Sequence, residues 1–165
     1  MQYGVIEIDG QEYIERAQIF PQDIQVTTNF QIIQSRVTLP GVANFLLKGL
    51  TREITLAGVS TARRFKFRLG NSDGITWYIA GGIGSNTDRV MDTLVFGNGM
   101  FPYPIIPPIP YSAGANIIFE IEDISGQLGG GAYVINLAFH GAYLIPVGTA
   151  PSGTSSLAAP QLVTA

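Results

Sequence analysis

The chain has 165 residues, which is enough for one domain with a substantial core. Only 13% of the residues are charged, against about 25% in a typical soluble domain, and 46% are hydrophobic. The lack of cysteine excludes disulfides and thiolate chemistry, and the net charge of −3 offers no overall attraction to nucleic acid.

Sparse charge indicates surface that is buried against partners. No stretch approaches the roughly 18 uncharged apolar residues of a membrane helix, so no membrane partner is predicted. The charges are also unevenly distributed, because all nine Lys and Arg residues lie at or before Arg89. This asymmetry suits head-to-tail contact between copies, although two faces of one monomer could equally neutralise each other. The charged residues after Arg89 are all acidic, namely Asp92, Glu120, Glu122 and Asp123.

The first 29 residues predict a β-hairpin arm. Gly4 to Ile8 and Glu12 to Phe20 flank Asp9-Gly10, which is a strong signal for a two-residue turn. The run from Pro21 to Asn29 is rich in Gln and Thr and predicts a connector. A β-sandwich domain is predicted to follow over residues 30–146.

The first strands of that domain are predicted at Phe30 to Leu39 and within Asn44 to Gly58. An interior glycine, Gly49, indicates a bulge or a break into two strands. A second hairpin follows at residues 62–80, with Trp77 and its alternate neighbours on the inner face. In its first strand, Phe65, Phe67 and Leu69 face one way while Arg64, Lys66 and Arg68 face the other.

Residues 85–96 are compatible with either a helix or a strand. Ser85 could cap a helix over Thr87 to Phe96. Such a helix would line one side with Val90, Met91, Leu94 and Val95.

A proline-rich strap is predicted between Phe101 and Tyr111, where five of the ten prolines of the chain fall. Proline fixes φ and removes a backbone donor, so the strap is neither a helix nor a central strand and is expected to resemble polyproline II. It should pack on something apolar, either its own core or a neighbouring subunit. No basic residue flanks it, which disfavours an SH3-type ligand. The candidate contact residues are Phe101, Tyr103, Ile105, Ile106, Ile109 and Tyr111.

Two more strands are predicted at Asn116 to Ile124 and across Tyr133 to Ile145. The second is long, and Gly141 is expected to mark a bend or bulge in it. Eight to ten closely spaced strands with almost no helix predict an all-β fold, a single jelly-roll-like sandwich or barrel with extended N- and C-terminal arms.

Residues 147–165 carry no charge and no periodicity. They are typical either of a disordered tail or of an arm that a neighbour holds in place. The arm is the preferred interpretation. Its candidate contact residues are Leu157, Leu162 and Val163.

No catalytic, cofactor or metal site is predicted, so the chain is not expected to be an enzyme. His140 is the only histidine, it should point away from the Phe139 face, and no G-x-S-x-G motif is present. Glu120 and Glu122 stand roughly 6.5 to 7 Å apart on one strand face and could form a calcium site or a glycosidase-like pair, but the polar face of a strand explains them more simply. The basic residues at 63–68 lie opposite the phenylalanines, so nucleic acid is not a predicted partner.

The order of these elements resembles the small jelly-roll virion proteins of tailed bacteriophages. The matching segments cover residues 44–146: F-x-L-x-G in NFLLKG, F-x-x-R-L in FKFRL, then IPYSAG leading into IIFEI, and an aromatic-x-G in the last strand. The resemblance implies a capsid decoration (cement) protein, made in the host cytoplasm and located on the capsid surface of the virion. It also implies a homotrimer that binds the major capsid protein and extends its arms across capsomers.

Three alternatives remain open at this stage. The chain could be a head–tail or tail component of a virion, or a carbohydrate-binding β-sandwich that uses Trp77, Tyr78 or Tyr103 as a stacking platform. An enzyme that uses Glu120 and Glu122 is the least favoured.

Overall fold

The computed structural model describes residues 4–57, 59–60, 63–71, 76–79, 89–97, 101–124 and 132–148. These residues form two antiparallel β-sheets and one short helix. The elements in chain order are β1 (Gly4–Ile8), β2 (Gln11–Val26), β3 (Ile32–Thr38), β4 (Asn44–Leu56), β5 (Val59–Ser60), β6 (Phe65–Asn71), β7 (Thr76–Ile79), β8 (Val90–Met91), α1 (Asp92–Val95), β9 (Tyr103–Tyr111), β10 (Asn116–Asp123) and β11 (Tyr133–Pro146).

The strand order is that of a jelly roll. Sheet A runs β1-β2-β11-β4, and β5 and β9 both pair along the far edge of β4. Sheet B runs β3-β10-β6, and β7 and β8 both pair along the far edge of β6. The main strands β2-β11-β4-β9 and β3-β10-β6-β7 thus form two interleaved sheets, as in two Greek keys. The predicted all-β, jelly-roll-like fold is confirmed.

The core lies between the two sheets and is filled by alternate residues of the strands. Phe65 and Phe67 of β6 are fully buried, as predicted, whereas the side chain of Trp77 lies outside the described residues. Rings from both sheets meet there: Phe119 of sheet B lies 5.2 Å from Phe139 of sheet A, between ring centroids. Both sheets therefore bury their apolar sides against a single core.

The predicted irregularities at Gly49 and Gly141 are confirmed as one β-bulge. His140 pairs with Gly49 and Gly141 with Leu47, so Lys48 is the extra residue. A Cβ at position 141 would overlap the carbonyl oxygen of Leu46 and the ring of Phe45, which explains the glycine.

The N-terminal hairpin forms around Asp9-Gly10, both at positive φ, as predicted. The predicted connector over 21–29 is wrong for its first part, since β2 continues through Val26. Ile24 and Val26 are buried and lie two positions apart, as residues on one face of a strand do. The polar residues between and before them hid this alternation in the sequence. The division of the chain at residues 29 and 146 stays a prediction.

Residues 85–96, for which the sequence allowed either a helix or a strand, contain both in their described part. Val90–Met91 pairs with β6, and Asp92–Val95 forms a single helical turn. The predicted cap at Ser85 lies outside the described residues. No helix in the described parts of the chain is long and apolar enough to cross a membrane.

Candidate interaction surface

The proline-rich strap forms the edge strand β9 of sheet A. This is the position in a sheet where missing N–H groups are tolerated. The strand pairs with β4 only at its two ends, through Tyr103 and Pro104 and again from Ile109 to Tyr111. Ile105 to Pro108 therefore stand opposite Lys48 alone and bulge away from the edge. The strap is thus a paired edge strand with an irregular centre, where a polyproline II segment was expected.

The six candidate contact residues of the strap divide into two groups. Ile109 and Tyr111 are buried in the chain's own core, and the Tyr111 hydroxyl donates to Gly70 O of sheet B at 3.2 Å. These two are core residues and are left out of the candidate surface. Ile105 is half-buried against the core. The other three are exposed: Phe101 at 68%, Tyr103 at 47% and Ile106 at 86%. We call these three the exposed strap.

The tail residues Leu157, Leu162 and Val163 lie outside the described residues, as does the proposed arm from residue 149 onward. The same holds for the side chains of Trp77 and Tyr78, two of the three candidate platforms for a sugar ring. Tyr103 is the platform candidate that the structure places on the surface.

Beside the strap, three consecutive rows of cross-strand partners on the outer face of sheet A contain no charged residue, and the unpaired Lys48 of the bulge lies between the second and third rows. Cross-strand partners share a face, so the pairing of β2, β11, β4 and β9 fixes which residues lie together. Four strands about 4.8 Å apart and three rows about 6.8 Å apart cover roughly 400 Å². We call this area the neutral face. Its rows are Pro21, Ala138 and Thr51; Ile19, His140, Gly49 and Pro104; and Ala17, Ala142, Leu46 and Pro110.

Much of the neutral face is open to solvent. The β2 and β9 residues are exposed, with Ile19 at 51%, while Gly49, Thr51 and Ala142 are buried within it. At Gly49 a Cβ would stand 3.0 Å from the Pro102 Cβ and from the Tyr103 carbonyl oxygen. The glycine therefore lets Pro102 and Tyr103 of the same chain lie directly over this position of the neutral face.

Charges lie at one end of the neutral face and also within it. At one end Asp23 and Glu53 are the cross-strand partners of Asn136 of β11. Lys48, the extra residue of the bulge, lies between the second and third rows and places its Nζ 2.5 Å from Glu15, the next outward residue of β2 beyond Ala17. This ion pair crosses β11 beside the buried Ala142. The bulge thereby places a cation, paired with an acid, within the face.

His140 is the one titratable residue in the paired rows of the neutral face. It points away from the Phe139 side, as predicted, and its Nε2 lies 2.9 Å from the Thr51 hydroxyl. Burial lowers the pKa of His140 below its usual value of 6.5. The imidazole is therefore mainly neutral at pH 7, so the paired rows of the face carry no charge there.

The outer face of sheet B is built differently, around the pair Glu120 and Glu122. Glu120 accepts from Arg68 and Arg89, with nitrogen–oxygen distances of 2.7 and 2.5 Å. Arg89 also reaches Glu122 at 3.4 Å. Burial acts to raise the pKa of Glu120, but the hydrogen bonds and charges of the two arginines outweigh it, so the pKa lies below 4.5.

The acidic residues of the C-terminal half find their partners within the same chain. Asp92 is fully buried between Arg52 at 2.5 Å and Arg64 at 2.8 Å. Asp123 is buried too, and accepts from the Tyr133 hydroxyl at 2.6 Å. The charge asymmetry of the sequence is therefore neutralised inside the monomer. Of the two interpretations of this asymmetry, contact between copies or neutralisation within one monomer, the structure supports the second.

None of the described residues forms a group of three or more side chains that could hold a metal ion. Sequence analysis did not predict the neutral face because its residues come from four distant segments of the chain. One signal was present: Ala17, Ile19 and Pro21 alternate along β2. It was masked by the polar residues of the same strand.

The chain matches no protein-family model, no curated protein and no solved structure.

Proposed function

We propose that this chain is a structural protein of a virion, a decoration (cement) protein that binds the outside of an icosahedral phage capsid and stabilises it through subunit contacts. The observation that supports it best is the neutral face together with the exposed strap that borders it. The jelly-roll fold and the segment resemblance at residues 44–146 agree with such a role.

The size of this surface favours stable contact with other proteins. The neutral face covers roughly 400 Å² by strand spacing, and the three side chains of the exposed strap add on the order of 400 Å². Their sum, about 800 Å², is what one partner contributes to a standard protein–protein interface. A patch of this size whose one cation, Lys48, is paired with Glu15 of the same chain is typical of a binding surface.

The carboxylates favour a structural role over a catalytic one. A glycosidase-like pair needs one carboxyl group with a raised pKa that can donate a proton. Glu120 has a lowered pKa instead, because Arg68 and Arg89 hold its carboxylate ionised. The same arginines contact Oε2 of Glu120, and Arg89 contacts Oε2 of Glu122, so one oxygen of each carboxylate that a calcium ion would need already has a cationic partner.

The proposed partners are further copies of the chain and the major capsid protein. The trimer and the arm at residues 147–165 rest on the resemblance and on the uncharged composition of the tail. Deleting residues 148–165 should leave the fold intact and weaken binding to the particle.

The test is whether the protein is a stoichiometric part of particles. Virions purified by density gradient from the natural source of the gene are analysed by mass spectrometry and electron cryo-microscopy. We expect the chain on the outer surface of the head, at a copy number that matches the capsid lattice. Its location on the tail or neck would favour the head–tail alternative, and its absence from purified virions would overturn the proposal.

A carbohydrate-binding module is the second candidate, because Tyr103 and Phe101 present exposed rings. A glycan array tests it directly. Binding that Tyr103→Ala abolishes, while Phe30→Ala (another exposed ring, at 64%) leaves it unchanged, would favour the sugar-binding function.

A further inference from the structure

Strand β2 has a long free edge on the side that faces away from β11. On that side β1 pairs only with residues 11–15, and no other described strand pairs with residues 16–26. We call residues 16–26 of β2 the open edge, which is about 36 Å long. Unpaired N–H and C=O groups along such an edge are a template for another chain, and proteins usually cover or blunt them.

The odd-numbered residues of the open edge direct their backbone N–H and C=O groups outward. Ile8 and Gln11 form the hydrogen-bonded pair that closes the two-residue turn, so every second residue of β2 from Gln11 onward bonds away from β11. Glu12 has the opposite phase, and its carbonyl accepts from Val147, directly after β11. The register with β11 is unbroken as far as Val26, so the alternation continues along the open edge. The outward N–H groups are those of Ala17, Ile19, Asp23 and Gln25, since Pro21 has none.

Two glutamine side chains occupy carbonyl groups of the open edge. Gln18 Nε2 donates to Ile19 O at 3.1 Å, and Gln22 Nε2 donates to Pro21 O at 2.7 Å. The N–H groups of an added strand would donate to the same two oxygens. Both bonds are exposed and join residues adjacent in sequence, so rotation of the glutamine side chain frees each oxygen. The glutamines therefore satisfy these acceptors and leave the edge accessible.

The opposite edge of sheet A and a second β2 are both poor partners for the open edge. In β9, Pro104, Pro107, Pro108 and Pro110 have no N–H group, so that strand lacks most of the donors needed for pairing. Two open edges paired about a two-fold axis would bring Pro21 of both copies into one ladder, and donors would be lost twice. The open edge is better matched by an extended segment that keeps its own N–H groups.

Residues 149–165 have the composition and length for this role. They carry no charge, so no like charge meets Asp23 of the open edge. Residues 152–159 contain no proline, and this extended run spans about 26 Å. Leu157 within the run can pack beside Phe20, which is half-buried on the inner side of the open edge. The run thus offers both backbone donors and an apolar side chain.

The geometry favours the segment of a neighbouring copy over that of the same chain. Val147 bonds to Glu12 on the β11 side of β2, and β1 occupies the other side there. The route around the hairpin turn and along β1 is about 26 Å long, from two strand spacings and five residues. Ser152 lies only about 17 Å of extended chain beyond Val147. In the same chain the run would therefore begin beside β1 and cover less than half of the open edge.

We infer that residues 152–159 of one copy add a strand to the open edge of β2 in a neighbouring copy. This inference rests on the proposed function and names the contact by which copies of the protein associate. The added strand exchanges backbone hydrogen bonds with the outward groups of the open edge and displaces the side-chain amides of Gln18 and Gln22. Sheet A of one copy is thereby extended by the arm of the next.

Hydrogen exchange, measured residue by residue by NMR, tests the pairing. The full chain is compared, at a concentration where native mass spectrometry shows an oligomer, with the chain that lacks residues 148–165. We expect the outward amides to exchange about 100-fold or more slowly in the full chain, because only there do they have a partner. These are Ala17, Ile19, Asp23 and Gln25. The amides of Gln18, Phe20 and Gln22 bond to β11 and should be equally protected in both chains, which also verifies the fold of the shortened chain.

A pair of arm variants separates backbone pairing from other effects of the deletion. Ser155→Pro with Ser156→Pro removes two consecutive N–H groups, one of which must face the open edge. Ser155→Ala with Ser156→Ala is the matched control. The proline variant should expose the outward amides as the deletion does, and the alanine variant should behave like the unaltered chain.

Crosslinking shows which copy supplies the arm. The chain has no cysteine, so an introduced thiol is unique. A chain carrying Leu157→Cys is mixed with one carrying Ile19→Cys, and a bismaleimide should join the two into a covalent heterodimer. Leu94→Cys is the control partner, since Leu94 is 62% exposed on α1, beyond the far side of sheet B.

Four results would overturn the inference: a monomeric full chain, outward amides that exchange alike with and without the arm, outward amides that stay protected in the proline variant, or crosslinking to Leu94→Cys that equals crosslinking to Ile19→Cys. The test is separate from that of the proposed function. A chain that is found on virions but whose outward amides are unprotected keeps the function and loses this contact. A chain whose arm protects its neighbour but that is absent from virions does the opposite.

Discussion

The two sheets of the jelly roll are alike on the inside and different on the outside. Both bury phenylalanine and branched aliphatic residues in one core. Outside, sheet B carries Arg68, Glu120 and Glu122, whose charges are matched by partners in the same chain. The neutral face of sheet A presents mainly alanine, proline and glycine at its outward-facing positions. The inward-facing residues of a strand thus specify the fold, while its outward-facing residues indicate what the finished surface contacts.

Contiguity distinguishes the neutral face from ordinary surface. Sheet B also exposes an isoleucine, Ile32, at 57%, but that residue pairs with Glu122 and has polar neighbours. Single exposed apolar side chains are normal in soluble proteins. On sheet A, the row of cross-strand partners that contains Ile19 is uncharged on every strand from β2 to β9. Only the second arrangement is typical of a contact surface.

The largest expected effects test whether the two sheets share one core. Phe67→Ala in sheet B and Phe139→Ala in sheet A should each lower the free energy of unfolding by about 3 to 5 kcal/mol, because both rings are fully buried. Phe101→Ala, at an exposed ring, should change it by less than about 0.5 kcal/mol. Chemical denaturation at one fixed protein concentration measures all three. A loss below about 1 kcal/mol for Phe67 would mean that its face of sheet B is a contact surface.

The sequence predicted the inside of this protein better than its outside. Alternation over short distances is enough to identify strands such as β6 and to place Phe65 and Phe67 in the core. The interior glycines Gly49 and Gly141 identified the bulge, because other groups approach the backbone there more closely than a Cβ would allow. The neutral face could not be predicted in the same way, because it depends on the register between β2, β11 and β4. The partners of Asp92 depend on tertiary contacts too, with Arg52 lying 40 positions earlier in the chain.

The next effect concerns the charged outer face of sheet B. Glu120→Gln should lower the free energy of unfolding by about 1.5 to 3 kcal/mol, since Arg68 and Arg89 lose the carboxylate that both contact. Glu7→Gln, at an exposed residue of β1, is the control and should have little effect. If Glu120→Gln and Glu7→Gln change the free energy of unfolding equally, the ion pairs of Glu120 add no stability, and the contrast with sheet A would weaken.

Acid should affect the two faces in different pH ranges. The pKa of His140 is lowered by burial, so the unfolded chain takes up a proton first as the pH falls below 6.5, and stability is lost from there. The pKa of Glu120 is also lowered, from 4.5, so its contribution is kept until the pH falls below that value. Melting temperatures between about pH 7.5 and 5.5 should therefore fall in the unaltered chain and fall less in His140→Gln. An identical slope in both would show that His140 titrates alike in the folded and unfolded chain.

The smallest effect concerns Tyr143, on the inner side of β11. Its ring packs edge-on against Phe45, with centroids 5.4 Å apart, but its buried hydroxyl has no hydrogen-bond partner among the described residues. Burial raises the pKa of Tyr143, which agrees with an apolar surrounding. Tyr143→Phe should therefore leave the free energy of unfolding unchanged or raise it by up to about 1 kcal/mol.

Tyr133→Phe, on the same strand, should instead cost about 1.5 to 3 kcal/mol, because that hydroxyl donates to buried Asp123. Denaturation curves of the two variants at several protein concentrations make the comparison. If Tyr143→Phe destabilises by more than about 1 kcal/mol only where the protein is assembled, the hydroxyl has a partner in a second copy, and the inner side of sheet A contributes to association as well.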